Sequence, residues 1–219
     1  MVARIHALDE VHNPAFGGAA IAVRQDQIGT IGCRVNLSGR DYLLTSGHVL
    51  SPTGFEPAGT AVYQPAPGLS GARRLGAVAA VAPLVRSPTA NNSLDVGLAT
   101  IDGQLEARIG TFGTPLGFSM NVSKNDEVRM FGANSGVRHG VVLDTNWSGA
   151  VIHTNNVRVG FARLVSTNMA TRGGDSGAAV LDVDNRVVGI HLGGDVNFSL
   201  FCSMFEICRL WPGLEVTTG

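Results

Sequence analysis

Apolar positions in this chain come in short runs rich in Val, Ile, Leu and Ala, broken by clusters of Gly, Pro, Asn and Asp. Short apolar runs bounded by turn-forming residues are the mark of strands. The pattern predicts strands over residues 18–24, 28–36, 42–45, 60–64, 75–84, 94–101, 127–131, 140–144, 150–153, 158–165, 178–183 and 187–191. One helical periodicity stands out, over residues 203–211. There Met204, Ile207, Cys208 and Trp211 recur at i, i+3, i+4 and i+7 before Pro212 and Gly213 stop the element. That face, Cys208 included, is expected to dock on the body, and the Phe and Leu residues of 198–205 read as core. Many short strands without intervening helices point to an all-β fold of antiparallel barrels or a sandwich, not to a parallel βαβ sheet.

Gly110, Gly113, Pro115 and Gly117 punctuate the stretch 103–122, which places a boundary between two halves there. Residues 1–16 read as an N-terminal arm, 17–110 as the first half, and 111–219 as the second half with the C-terminal helix. Composition narrows the class. With 44% hydrophobic and only 15% charged residues, and 29 glycines in 219 positions, disorder and coiled coil are both excluded. A chain of this length buries a core without help from disulfides or metal.

The formal net charge is −1 and no Lys/Arg cluster is interleaved with aromatics, so no nucleic-acid partner is expected. No apolar run is long enough for a membrane span, so no membrane partner is expected either. The opening residues lack the charged-then-apolar layout of a secretory signal. Cys33, Cys202 and Cys208 make an odd count without a Cys-x-x-Cys pair. That suggests neither a disulfide framework nor a zinc site and fits a reducing cytoplasm. A secreted chain whose signal has been removed is the alternative.

Three local patterns carry chemistry. In Leu43-Leu44-Thr45-Ser46-Gly47-His48 a strand ends in small residues and presents a histidine, which by itself is as readily structural as functional. In Asn91-Asn92-Ser93-Leu94-Asp95-Val96-Gly97-Leu98 an acid opens an apolar strand. It could cap a turn, or stay ionised and orient a histidine ring. In Thr171-Arg172-Gly173-Gly174-Asp175-Ser176-Gly177-Ala178 a serine is flanked by glycines ahead of an apolar strand. A serine hydroxyl needs a base to become a nucleophile, and the backbone N–H groups of Gly174 and Ser176 could converge on an oxyanion. His6, His12, His139 and His153 show no metal-ligand spacing, and no metal or cofactor is expected.

Taken in chain order, His48 in Thr-x-Gly-His, Asp95 in Asp-x-Gly-Leu and Ser176 in Gly-Asp-Ser-Gly resemble the chymotrypsin/trypsin-type serine peptidases. Residues 128–142, with Gly132, Gly136 and Gly140, are similar to the glycine-rich hairpin that opens the second barrel in bacterial members. The resemblance runs from about residue 17 to the C-terminal helix. It implies two six-stranded antiparallel β-barrels, His48 and Asp95 on the first and Ser176 on the second. It further implies an endopeptidase acting on extended polypeptides through an acyl-enzyme with a His48–Asp95–Ser176 triad. Alternatives are a silent or gated peptide-binding module and a self-processing protease with one dedicated substrate.

Departures from that family set further expectations. Val49 stands where many secreted relatives have the partner of a cysteine at the Cys33 position, so Cys33 is expected to be a free, packed thiol. No Ile-Val-Gly-Gly activation site follows a basic residue. Asp175 therefore needs another partner, either the cation of Arg129, Arg138 or Arg172, or backbone N–H groups. Ala170 stands where trypsin-like enzymes place a pocket-floor aspartate, which argues against a basic P1 residue. Thr171 and His191 resemble the pair that receives acidic side chains in glutamyl endopeptidases. Against that, His191 could be a satisfied inward-facing residue, the pocket could take small apolar side chains, and Asp195 would repel an acid. Leu192, Gly193 and Gly194 are expected to offer backbone groups to an extended peptide.

Overall fold

The computed structural model describes residues 8–153 and 156–219, so His6 lies outside the described residues. Sixteen strands and two short helices follow one another. The first half holds β1 (Ala15–Gly17), β2 (Ala20–Ile21), β3 (Gly29–Thr30), β4 (Cys33–Leu37), β5 (Arg40–Ser46), α1 (Gly47–Leu50), β6 (Ala61–Gln64), β7 (Arg73–Val81), β8 (Val96–Thr100) and β9 (Leu105–Ile109). The second holds β10 (Glu127–Gly132), β11 (Gly136–Ile152), β12 (Arg158–Thr167), β13 (Ala179–Leu181), β14 (Val187–Gly194), β15 (Ser199–Ser203), α2 (Met204–Leu210) and β16 (Glu215–Val216). No described helix is long and apolar enough to cross a membrane.

The fold is mostly β, with two six-stranded antiparallel sheets and a short C-terminal helix. One sheet runs β16-β4-β5-β8-β7-β6, and the other closes into a barrel in the order β10-β11-β12-β15-β14-β13. The sixth strand of the first sheet comes from the far end of the chain: β16 lies antiparallel to β4, Val216 opposite Val35. Alternation explains the layers. Val35, Leu44 and Leu98 of the first sheet meet Phe161, Ile190 and Leu192 of the second in one continuous apolar cluster, sealed by Met204 and Ile207 of α2. Separate cores fill each half, around Ile31, Leu43 and Val62 in one and Met130, Val180 and Phe201 in the other.

Helix α2 forms where its periodicity placed it. Ser203 caps it by accepting a hydrogen bond from the Glu206 amide, and Trp211 ends it. Cys208 packs half-buried against the core, whereas Phe205 is exposed and so is not the core residue expected of it. Cys33 is a free, buried thiol.

Three differences from the predicted elements have physical causes. The separate strands expected at 140–144 and 150–153 are one long strand, β11. The polar run between them stays paired with β12 through register shifts, Trp147 lying opposite Leu164 and Gly149 opposite Phe161. The strands expected over 18–24 and 28–36 are broken into β2, β3 and β4: β2 and β3 pair with each other, and Thr30 at the end of β3 donates its amide to Ser176 O (2.8 Å), across to the second barrel. The turn of helix α1, which carries His48, has too few residues for periodicity to show it.

Candidate active site

His48 is delivered by α1 immediately after the buried end of β5. The turn is shaped around Asp95. The His48 amide donates to Asp95 Oδ1 (3.0 Å) while His48 Nδ1 lies 2.6 Å from Asp95 Oδ2. Gly47 has to be glycine, since a Cβ there would lie 2.5 Å from Asp95 Oδ1. The Asp95 amide in turn donates to Cys202 Sγ (3.3 Å), and the Gly47 amide to the Asp95 carbonyl (3.0 Å).

Asp95 has a second imidazole on it. His153 Nε2 lies 2.8 Å from the same Oδ2, and the rings of His48 and His153 stand edge to face with centroids 4.9 Å apart. Burial of Asp95 would raise its pKa. The charge of His48, the hydrogen bonds from His153 and His48, and the charge of His153 more than offset that, so the carboxyl sits well below the ordinary carboxylate range. A carboxylate only accepts, so both ring nitrogens donate. His48 therefore keeps a basic Nε2 for its other side.

His48, Asp95 and His153 are also the one His/Cys/Asp/Glu group among the described residues whose donor atoms lie close enough to hold a metal ion. Ligand atoms around a zinc ion, each about 2 Å from it, stand roughly 3.3 Å from one another. At 2.6 and 2.8 Å the contacts to Asp95 Oδ2 are too short for that and fit hydrogen bonds. Burial pushes the Cys33 and Cys202 thiols up to about 12, which keeps them protonated and unsuited as ligands or nucleophiles.

The loop that carries Ser176 is clamped from both halves. Thr30 Oγ1 donates to Gly174 O (2.7 Å), and Asn134 Nδ2 holds Gly173 O (2.7 Å). Asp175 is fully buried. Among the described residues it takes no guanidinium: Oδ1 accepts from the Asn134 and Ser135 amides (3.1 and 2.9 Å) and Oδ2 from the Arg172 amide (2.9 Å). Of the two partners open to Asp175, the structure therefore has the backbone N–H groups. Arg129 instead bonds Asn185 and covers the Phe112 ring, and Arg138 bonds the Val137 carbonyl. The amides of Gly174 and Ser176 have no acceptor among the described residues. The Ser176 hydroxyl donates to Leu192 O at 3.0 Å.

His48 and Ser176 open onto one cleft of about 530 Å³, walled by Val151 and Ile152 on one side and by Leu192, Gly193 and Gly194 on the other. Asp195 and Arg172 line it too. Ala170, Thr171 and His191 do not line this cleft. Thr171 and His191 are buried, with Thr171 Oγ1 and both ring nitrogens of His191 lacking a full hydrogen bond. Burial, with a smaller push from His48, lowers His191 to about 4 against the opposing pull of Asp175, so its imidazole is neutral.

A family model, the trypsin-like peptidase domain, matches residues 29–190, a span holding His48, Asp95 and Ser176. The chain belongs to the trypsin-like peptidases. Family membership makes it a hydrolase of the serine-protease class. Solved structures agree in fold. Protease A of Thermobifida fusca is 22% identical, covering 93% of this chain and 98% of its own, with a TM-score of 0.66. The chymotrypsin of Cellulomonas bogoriensis is 19% identical over 95% and 100%, at 0.64. A glutamic acid-specific serine protease, described as using a histidine triad in substrate binding, is 18% identical over 93% and 100%, at 0.68. Among curated protein sequences none matches the chain.

Two residues of this trypsin-like site escaped the sequence reading. His153 ends a predicted strand and has no motif around it, and Thr30 is one threonine among many. Their roles come from long-range contacts, which local spacing does not encode.

Proposed function

We propose that the chain is a serine endopeptidase in which His48 is the general base and then acid, Asp95 orients it, and Ser176 is the nucleophile. The observation that carries this reading is the 2.6 Å contact of His48 Nδ1 with an ionised Asp95, on a histidine that opens onto the same cleft as Ser176. In the reaction the Ser176 proton passes to His48 Nε2 as Oγ bonds the substrate carbonyl carbon. The resulting oxyanion is received by the Gly174 and Ser176 amides. Collapse breaks the C–N bond, with His48 returning its proton to the leaving amine. Water then repeats the sequence on the acyl-enzyme. An extended polypeptide would lie along Leu192 to Gly194, whose backbone can pair with it.

Thr171 and His191 favour an acidic P1 residue where its side chain parts the cleft lining that covers them, since both are buried polar groups without a full hydrogen bond that a carboxylate would satisfy. Asp195 at the cleft opposes it, so the pair has to outweigh one negative charge. A fluorophosphonate probe tests the reaction: the wild type labels and Ser176→Ala does not. A peptide library tests the preference, with cuts enriched after Glu and Asp expected and an unenriched profile overturning it. One observation favours a gated site as a second reading, namely the Ser176 hydroxyl bonded to Leu192 O. In that case labelling appears only when a peptide occupies the cleft.

A further inference from the structure

We propose that His153 is a positioning residue of this site, a second imidazole that donates to Asp95 and so aims the carboxylate at His48. The inference rests on the serine-peptidase reading and deepens it. His153 stands at the end of β11, its side chain 3% exposed, with its amide held by Val157 O (2.8 Å). Its Nε2 meets the very oxygen, Asp95 Oδ2, that receives His48 Nδ1.

Geometry explains what the second donor does. A buried carboxylate with one donor on Oδ2 can rotate about its Cβ–Cγ bond. Asp95 is held at three points: Oδ1 by the His48 amide and Oδ2 by two ring N–H groups from opposite halves of the molecule. Sharing Oδ2 also spreads its charge over two donors. The His48 Nδ1–H thus meets an oxygen whose charge is shared with a second donor, and loss of that donor would strengthen the pull of Oδ2 on this proton. Three charged or titratable groups among the described residues lie near this cluster. His191 acts on His48 through space from β14, and Glu56 and Arg86 line the neighbouring cavity beside His48, Asp95 and His153.

The hairpin that carries His153 also builds the substrate cleft. Val151 and Ile152, the residues before it, form one wall, and Ile152 is 74% exposed there. The aim of Asp95 is thus set by the element on which a bound peptide would rest.

Three variants of the chain test this. His153→Phe keeps a flat ring and removes the donor. His153→Gln keeps an N–H at about the same reach and should recover most of the loss, so it also serves if the Phe variant folds poorly. For Phe we expect kcat to fall about 10–100-fold with KM within about twofold, and the acid limb of the pH profile of kcat/KM to move to higher pH. Equal kcat and an unmoved acid limb, with Ser176→Ala inactive, would overturn the positioning role while leaving the peptidase reading intact. Full activity in Ser176→Ala would sink the peptidase reading instead. A second measurement needs no turnover: proton NMR of the hydrogen-bonded ring N–H groups. His153→Phe should delete one downfield signal and shift the one from His48, and an unshifted His48 signal would overturn the proposal.

Discussion

His48 and Ser176 face one cleft, yet the groups around them are held in opposite ways. On the His48 side every contact is made: Asp95 is buried, ionised and bound by the His48 amide, the His48 ring and the His153 ring. On the Ser176 side the backbone is clamped by Thr30 and Asn134, but the amides of Gly174 and Ser176 have no acceptor among the described residues. The Ser176 hydroxyl donates to a single backbone carbonyl, Leu192 O. The difference follows from chemistry. An ionised carboxylate in the interior has to be satisfied at all times. Oxyanion donors have to stay open until charge develops in the transition state.

The substitution expected to have the largest effect on turnover separates the two sides. Ser176→Ala should lower kcat by about 10⁴-fold or more while leaving the melting temperature within a few degrees, because its hydroxyl makes one half-exposed bond. Asp95→Asn should cost turnover by a comparable factor of about 10⁴ and stability as well, since one face of the amide presents N–H to ring N–H. Parallel kinetics and thermal melts decide the matter: equal stability losses in the two variants would erase the contrast drawn here.

Next comes the backbone beside Ser176. Gly177 has φ of +97°, and a Cβ on it would lie 2.0 Å from Thr45 Oγ1 and 2.4 Å from Thr30 O. Gly177→Ala should destabilise by about 3 kcal/mol or more in denaturant titrations.

His191 should produce a smaller and pH-dependent effect. Its folded-state pKa of about 4 lies below the 6.5 of a free imidazole. Between those values the unfolded chain binds more protons than the folded one, so stability rises with pH across that window and is flat for this group outside it. The full span is about 3 kcal/mol at its upper bound. In His191→Gln the rise between pH 4 and 6.5 should shrink relative to the wild type. An unchanged slope would mean that a partner holds this ring in the folded protein.

The smallest effect is expected at Gly173. Beside the same serine, a Cβ there would meet nothing within 4 Å, so Gly173→Ala should change stability by about 0.5 kcal/mol or less. The three glycines around Ser176 are thus unequal, although the sequence pattern treats them alike.

Much of the fold was legible in short-range pattern. Helix α2 and the strands β10, β12, β13 and β14 follow from periodicity and turn residues. So do the three chemical motifs, because each is a local strand-to-turn signature. What failed was long-range. The polar run from Asp144 to Gly149 reads as a turn, yet it remains a strand because β12 supplies its partners. Phe205 reads as core on its hydrophobicity, yet faces solvent because Met204 and Ile207 take the buried stripe of α2.

By itself the sequence determined the all-β class, the terminal helix, the unpaired cysteines and the order of His48, Asp95 and Ser176. Tertiary structure alone decided what holds the two carboxylates. Asp175 is satisfied by three amides brought together from two loops, with no guanidinium on it among the described residues, and Asp95 by an imidazole 58 positions away. The reason is physical: a hydrogen bond depends on distance and direction in space, and strand pairing sets both for residues whose separation along the chain carries no signal.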